Sequence, residues 1–167
     1  MAIRVREIPI GDGDLVLIAG PCIIESLAHL KTMAGALKDI AGRMGVPLIF
    51  KASFDKANRS SIDAYRGPGL DEGLHMLSQI KQEFDLAVTS DIHETHQARK
   101  AAEVLDLIQI PAFLCRQTDL LLAAGSTGKP VNIKKGQFMA PWDMQHALKK
   151  VASTGNQQVM LTERGVS

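Results

Sequence analysis

The chain alternates short, unbroken apolar runs with longer amphipathic segments. The apolar runs are "LVLIAG", "VPLIFKAS", "LAVTSDI", "LIQIPAF", "VNIKKGQF" and "QVMLTERG". Between them, apolar residues recur at helical spacing, most clearly over residues 26–43, where Ser26 is a candidate N-cap, and over residues 70–84. Strands that are apolar on both faces are typical of a parallel sheet covered by helices. The alternation therefore predicts an α/β fold.

Two architectures fit about six βα units in one domain over residues 1–167. A closed (β/α)8 barrel has eight strands and typically ~250 residues. The chain is thus either a smaller doubly wound sheet or a barrel whose C-terminal part is missing. Because it stops at "LTERGVS", directly after a predicted strand, we expect that the sequence is cut there. Residues 3–19 are predicted to form a hairpin, with its turn at "GDGD", that leads into the first barrel strand.

Composition argues against several classes of partner and location. The 19 basic and 18 acidic residues give a net charge of +1, which leaves no overall electrostatic footprint for nucleic acid or membrane. The N-terminus has no apolar signal-peptide core, and no apolar run approaches the ~20 residues of a membrane helix. Two cysteines form no disulfide framework, so a reducing cytoplasm is the expected compartment.

Polar side chains are concentrated where the predicted strands end. They are Cys22 and Glu25, then Lys51, then Asp91 and His93, then Gln109, then Lys134 and Lys135, and finally Glu163 and Arg164. Parallel strands deliver their carboxyl ends to one face, and that face holds the active site in α/β folds. An ordinary solvated rim is the alternative interpretation.

The segment "FKASFDKANRSSIDAYRGPG" carries the densest group of anion-binding residue types. Its cations are interleaved with hydroxyl and amide side chains: Lys51, Lys56, Arg59 and Arg66 with Asn58, Ser60 and Ser61. Cations beside such donors hold phosphate esters and carboxylates. Cys22 has two interpretations from its position alone, a small buried hydrophobe or a thiolate that meets a metal.

Longer motifs carry a resemblance to a known family. The words "GPCIIES", "FKASFDKANRSS", "RGPGLDEGL", "SDIHE", "QIPAFLCRQTDLL", "VNIKKGQF" and "LTERG" resemble the 3-deoxy-D-manno-octulosonate 8-phosphate synthases. The sister family of 3-deoxy-arabino-heptulosonate 7-phosphate synthases shares the barrel but typically has a "KPRTS"-like loop in place of "KANRSS". The resemblance implies a (β/α)8 barrel, of which this chain holds about six units.

The resemblance also implies a transferase, assembled as a homotetramer, on the route to lipopolysaccharide. Such an enzyme condenses phosphoenolpyruvate with D-arabinose 5-phosphate and water. By analogy, the carboxylate and phosphate of phosphoenolpyruvate are bound by Lys51, Lys56, Lys134 and Arg164, in a pocket lined by Gln109, Pro111 and Ala112. The pentose phosphate is held by Asn58, Arg59 and Ser60, with Arg116 reaching in from a neighbouring subunit. The residues expected at the reacting centre are Lys56, Asp91 and His93.

The family divides according to the residue at the position of Cys22. One branch has Asn there and works without metal, whereas the other has Cys and binds a divalent metal together with a His, a Glu and an Asp. Cys22 resembles the metal-dependent branch, so a divalent ion such as zinc, iron or manganese is expected in the full-length protein. The other three ligands would lie beyond Ser167. Two alternatives remain: a heptulosonate phosphate synthase, and an inactive truncated remnant.

Overall fold

The computed structural model describes residues 3–166. The strands are β1 (Ile3–Val5), β2 (Ile8–Ile10), β3 (Leu17–Ala19), β4 (Leu48–Lys51), β5 (Ala87–Asp91), β6 (Leu107–Ile110), β7 (Val131–Lys134) and β8 (Val159–Thr162). The α-helices are α1 (Leu27–Met44), α2 (Leu70–Phe84), α3 (Gln97–Val104), α4 (Thr118–Gly125) and α5 (Met144–Ala152), with short 3-10 helices at Ala112–Leu114 and Pro141–Asp143. None of the helices in the described residues is long and apolar enough to cross a membrane.

Six strands form one parallel sheet in sequential order, β3-β4-β5-β6-β7-β8. A doubly wound sheet reverses its strand order at a switch point, and this sheet has no such reversal among its described strands. Sequential parallel strands with helical crossovers are the pattern of a (β/α) barrel. The predicted fold class, a barrel with about six units in this chain, is confirmed.

An apolar cluster on the inner face shows that the sheet is curled. Ile49, Ala87 and Leu107 are buried on neighbouring strands, and they pack with Ile18 of β3 and Met160 of β8. β3 and β8 are the two edges of the sheet, so their side chains share a cluster only because the sheet bends around it. The inner face at the amino ends of the strands is therefore a packed apolar core.

The N-terminal hairpin covers this core, but its turn is not where the sequence pattern placed it. β1 and β2 pair with each other, Ile3 opposite Ile10, so the chain reverses at Arg6 and Glu7 and not at "GDGD". Arg6 has a left-handed backbone (φ 52°), and its guanidinium lies 2.7 Å from the Asp85 carboxylate. The ion pair with a distant loop fixes a turn that local residue preferences do not indicate.

The outer face of the sheet is covered by the helices. Phe50, Val88 and Ile108 point outward from successive strands into the larger apolar cluster, which includes Leu30 and Leu77 of α1 and α2. The predicted start of α1 is confirmed, because the Ser26 hydroxyl accepts a hydrogen bond from the His29 backbone N–H at 3.2 Å. This alternation leaves every second strand residue facing the barrel interior.

Candidate active site

The inner face changes from apolar to polar or charged within two to four residues along β4, β5 and β6. Ile49 is followed on the same face by Lys51, Leu107 by Gln109, and Ala87 by Thr89 and Asp91. Strand pairing aligns these positions, since Asp91 lies opposite Gln109 in the ladder. We call the carboxyl ends of β3–β8 with the loops that follow them the carboxyl rim. The fold therefore gathers on this rim side chains that are far apart in sequence.

A cavity of about 360 Å³ opens on the carboxyl rim. Eight of the residues predicted for the site line it: Lys56, Asn58, Asp91, His93, Pro111, Ala112, Lys134 and Arg164. Gln137 also lines it, and the sequence patterns did not single out this residue. A volume of this size suits a small-molecule ligand.

Lys51 and Asp91 form a buried ion pair beside the cavity. The Lys51 Nζ lies 3.1 Å from Asp91 Oδ1 and 3.0 Å from Ser53 Oγ, and the Ser53 hydroxyl donates to Asp91 Oδ1 at 2.8 Å. Burial of Asp91 favours the neutral acid, but the charge of Lys51 and the bond from Ser53 outweigh it, so the pKa of Asp91 falls below its usual value. Asp91 is therefore an ionised carboxylate at neutral pH.

Lys134 lies near three other cations, Lys51, Lys56 and Arg164. Burial lowers the pKa of Lys134, and the nearby charges of Lys51, Arg164 and Lys56 lower it further, while Asp91 opposes them. Cations held this close repel one another, and an anion placed among them relieves that repulsion. The electrostatics of the cavity thus favour an anionic ligand.

His93 faces the cavity from the end of β5. Its ring packs edge-on against Phe54, with centroids 6.0 Å apart and planes at 84°. Burial lowers the pKa of His93, although Asp91 partly opposes this, so the ring is neutral at pH 7. Its Nδ1 is buried and has no hydrogen-bond partner among the described residues. A neutral imidazole here is able to accept or pass on one proton.

A chain of hydrogen bonds from Thr162 through Asn132 orients Gln109. Thr162 donates to Asn132 Oδ1 at 2.8 Å, and the Asn132 amide donates to Gln109 Oε1 at 3.4 Å. Gln109 is 4% exposed, and its Nε2 has no partner within residues 3–166. Gln109 is not among the residues that line the cavity, so a contact between its unpaired amide and a ligand stays a prediction. Sequence patterns missed Asn132 and Thr162, although each lies two residues before a predicted binding residue.

The loop after β4 is closed at its base. Arg66 makes two hydrogen bonds to the Asp55 carboxylate, at 2.9 and 2.5 Å, and Lys56 N donates to Arg66 O at 2.7 Å. Asn58, Arg59 and Ser60 are exposed on the loop beyond this closure. Asn58 reaches the cavity wall, whereas the Arg59 guanidinium donates to the Tyr65 carbonyl. Arg66 therefore supports the loop, and its charge is already paired with Asp55.

Arg116 does not lie in this cavity. It lines a second cavity of about 340 Å³ with Phe138, Met139, Asp143, His146, Ala147 and Lys150. Phe113, Phe138 and Trp142 are exposed large apolar residues near this part of the chain. Within one copy of the chain, Arg116 is thus separated from the other predicted binding residues.

Lys135 and Lys134 are adjacent in sequence but have opposite environments. Lys134 faces the cavity, while Lys135 is 2% exposed and its ammonium points away into backbone carbonyls. The sequence could not show which of the two lysines faces the cavity, because both lie at the same strand end. Only Lys134 is placed where it could contact a ligand in the cavity.

Cys22 is an exposed free thiol in the segment that follows β3. Among the described residues, no three His, Cys, Asp or Glu side chains are grouped so that they could hold a metal ion. A stable site takes three or four ligands. Residues 3–166 therefore do not by themselves form the metal site that the resemblance implies.

Comparison with known proteins agrees with this geometry. The profile of the DAHP synthetase I family matches residues 1–167. The chain belongs to this family. The DAHP synthetase I family assignment covers the entire chain, and therefore both the hairpin and every rim residue described above.

Individual relatives show which proteins within the DAHP synthetase I family this chain resembles. A 2-dehydro-3-deoxyphosphooctonate aldolase of Syntrophotalea carbinolica is 60% identical over 157 residues, covering 94% of this chain and 57% of that protein. Proteins with the same name from Koribacter versatilis and Fusobacterium nucleatum are 56% and 57% identical, and the matches cover 59% and 56% of their lengths. The chain thus spans less than two thirds of these curated relatives.

Proposed function

We propose that this protein is a transferase that condenses phosphoenolpyruvate with D-arabinose 5-phosphate and water. The products are 3-deoxy-D-manno-octulosonate 8-phosphate and inorganic phosphate, in lipopolysaccharide biosynthesis. The observation that carries the proposal is the convergence of Lys56, Lys134 and Arg164 on one small cavity, beside a loop that brings Asn58 to its wall. The names of the relatives, at 56–60% identity, favour the eight-carbon product.

The proposed chemistry needs cations because both substrates are anions. Lys56, Lys134 and Arg164 hold the carboxylate and phosphate of phosphoenolpyruvate, and Gln109 donates to one of those oxygens. Asn58, Arg59 and Ser60 hold the phosphate of the pentose. Fixed cations cancel the repulsion between the substrates and keep the enol carbon close to the aldehyde, and such positioning contributes several kcal/mol in rate, roughly 7–11 at most.

The proposed bond changes occur in the following order, and two rim residues are placed to assist them. The enol carbon C3 bonds to the aldehyde carbon, and the aldehyde oxygen takes a proton as charge develops on it. Water adds at C2, and phosphate leaves by cleavage of its C–O bond. Asp91 and the neutral His93 lie at the cavity wall, where they are placed to direct the water and move its proton.

We propose that Cys22 supplies one ligand to a divalent metal in the full chain. An exposed thiol beside the rim is a suitable soft ligand, and the remaining ligands are expected outside the described residues. The bound ion would supply Lewis-acid polarisation. Metal content of the purified full chain tests this: Cys22→Ser is expected to lose the ion, and buried Cys115→Ser to keep it. Equal metal content in both variants would contradict the proposal.

We also propose that the protein is a cytoplasmic homotetramer. Two free cysteines suit a reducing compartment. Arg116 lies in a separate cavity beside exposed aromatic side chains, which is compatible with its reaching a neighbouring subunit's site. Light scattering during size-exclusion chromatography measures the mass; a monomer at micromolar concentration would contradict the tetramer.

The test of the proposed function compares two aldoses with the full chain. With phosphoenolpyruvate present, we expect eight-carbon product and phosphate from arabinose 5-phosphate, and little reaction with erythrose 4-phosphate. Faster turnover of erythrose 4-phosphate would instead support a heptulosonate phosphate synthase. A chain that binds neither phosphoenolpyruvate nor pentose phosphate at millimolar concentration would support the inactive remnant.

Lys134→Met and Lys129→Met form a matched pair for the same assay. Lys134 is the last residue of β7 and Lys129 lies two residues before the strand begins, and only Lys134 lines the cavity. Loss of a charge-assisted contact to both ground and transition states is expected to lower kcat/KM about 100-fold in Lys134→Met. Lys129→Met is expected to keep wild-type kcat/KM, and equal losses in both would contradict the assigned site.

A further inference from the structure

Lys135 is a fully buried cation that takes no part in the proposed chemistry. It is 2% exposed, and its Nζ donates to the carbonyls of Gly165, Met139 and Gly136 at 2.9, 3.2 and 3.3 Å. The Glu163 carboxylate lies 3.3 Å away as its counter-ion. Burying an ammonium is unfavourable unless such partners surround it, so this lysine has a full set of compensating contacts.

These contacts join two separate segments of the carboxyl rim. Gly136 and Met139 belong to the loop after β7, which also carries Gln137 into the cavity. Gly165 belongs to the turn after β8, next to Arg164. The Lys135 backbone adds a bond, since its N–H donates to the Thr162 carbonyl at 2.9 Å. One side chain therefore fixes the spacing between the two segments.

Glu163 completes the same arrangement from the other side of Arg164. Its Oε1 accepts the backbone N–H of Gly165 at 2.7 Å and that of Arg164 at 2.9 Å. The bond from Gly165, with the help of Lys135, lowers the pKa of Glu163, so the carboxylate stays ionised. Both residues that flank Arg164 are thus bound directly to Lys135.

We propose that Lys135 and Glu163 are positioning residues that hold Arg164, and with it the loop after β7, in the geometry that binds the anions of phosphoenolpyruvate. Lys135 acts through Arg164 and does not touch the ligand, because its ammonium faces carbonyls outside the cavity. This inference rests on the proposed function for the identity of the ligand. Its physical basis is that an arginine on a segment without regular secondary structure keeps its direction only if that segment is held in place.

The size of the expected effect follows from how steeply binding depends on placement. Lys135→Met leaves three carbonyls and one carboxylate without their cation, so the turn with Arg164 relaxes away from the loop. A shift of about 1 Å in a substrate-positioning group can cost on the order of 100-fold. We expect the Kd of phosphoenolpyruvate to rise about tenfold to 100-fold in Lys135→Met, and less in Glu163→Gln.

The deciding experiment is a double-mutant cycle on phosphoenolpyruvate binding. Calorimetry on the full chain gives the Kd for wild type, Lys135→Met, Arg164→Ala and the double variant. If Lys135 acts through Arg164, the lysine substitution weakens binding strongly in the wild-type background and hardly at all in the Arg164→Ala background. Equal losses in both backgrounds would overturn the proposal, because they would show that Lys135 acts independently of Arg164.

Lys81 provides a matched control for a purely structural effect. Its Nζ donates to the Val104 carbonyl at 3.0 Å and pairs with Asp106 at 2.7 Å, so it too is a partly buried lysine that binds a carbonyl and a carboxylate. It lies on α2 and does not line the cavity. Lys81→Met is expected to lower the melting temperature while leaving the Kd unchanged. An equal rise in Kd for Lys81→Met would overturn the positioning role.

The outcomes separate this inference from the proposed function. If wild type binds phosphoenolpyruvate but yields no product from either aldose, only the proposed function fails, and the binding cycle still decides whether Lys135 positions Arg164. If wild type does not bind phosphoenolpyruvate, both proposals are overturned. If Lys135→Met does not fold, Glu163→Gln replaces it in the cycle, because Glu163 is largely exposed and its loss spares the core. Unchanged phosphoenolpyruvate affinity in Glu163→Gln would then overturn the proposal.

Discussion

The amino and carboxyl ends of the same strands have opposite chemistry. At the amino ends, Ile49, Ala87 and Leu107 form a closed apolar cluster under the N-terminal hairpin. Two to four residues further along the same inner face, Lys51 and Asp91 form an ion pair, and the Gln109 amide has no hydrogen-bond partner among the described residues. Burial at the amino ends therefore supports stability, whereas the carboxyl ends keep mutually repelling charges together for a ligand.

The largest effect on stability is expected at the amino ends. Leu107→Ala removes a fully buried side chain from the inner cluster, so we expect the free energy of unfolding to fall by about 3 kcal/mol. The KM for phosphoenolpyruvate should stay near its wild-type value, as measured by denaturant unfolding and steady-state kinetics. Exposed Leu15→Ala is the control and should change neither quantity. A large change in KM without loss of stability would break the division between the two ends.

A roughly tenfold rise in KM is expected when the hydrogen bonds that hold Gln109 are removed. Asn132→Leu keeps the branched arrangement of side-chain heavy atoms but removes both hydrogen bonds in the chain from Thr162 to Gln109. The Gln109 amide then loses its fixed orientation, so we expect the KM for phosphoenolpyruvate to rise about tenfold with a smaller change in kcat. Thr162→Val removes only the far bond and should have a weaker effect. An unchanged KM in Asn132→Leu would show that Gln109 needs no such support.

A smaller effect of opposite sign is expected for Lys134. Burial and neighbouring cations disfavour the charged form of Lys134, although solvent screens this partly exposed group. Lys134→Met should therefore leave the free energy of unfolding unchanged or raise it slightly, although activity falls. Thermal unfolding of the ligand-free chain measures this. A clear loss of stability would mean that Lys134 supports the fold, which would contradict the separation of the two ends.

The smallest effect is a pH dependence of affinity. Burial and the neighbouring cations lower the pKa of Lys134, so its positive charge is lost at lower pH than in an ordinary lysine. The affinity for phosphoenolpyruvate is therefore full below that lowered pKa and weakens as pH rises through it. The charges of Lys51, Lys56 and Arg164 reinforce the lowering of the pKa, and Asp91 opposes it. Calorimetry across alkaline pH measures the slope. Lys134→Arg, which does not titrate there, should remove it; an unchanged slope would assign the titration to another group.

Sequence patterns predicted the fold and the location of the rim because both depend on local rules. Strand and helix periodicity indicated the βα units, and parallel strands necessarily bring their carboxyl ends together. Lys51, Asp91 and Lys134 could thus be placed near one another before any coordinates. Their individual roles remain predictions, which the experiments above address.

Other features depend on contacts between distant residues, and no local pattern encodes them. The hairpin turn at Arg6 depends on Asp85, which lies 79 positions away. Backbone carbonyls surround the Lys135 ammonium, whereas Lys134 faces the cavity. Arg116 was expected to act across a subunit boundary, and a single copy of the chain places it in a separate cavity.

The most direct test of the division between the two ends is a crystal structure of the full chain with phosphoenolpyruvate. The ligand is expected in the carboxyl-rim cavity, with its anionic groups within about 3 Å of the Lys134 ammonium, the Arg164 guanidinium and the Gln109 amide. The apolar cluster around Leu107 should be unchanged. Phosphoenolpyruvate bound instead in the second basic cavity, beside Arg116 and Lys150, would contradict the assignment of the carboxyl rim as the binding site.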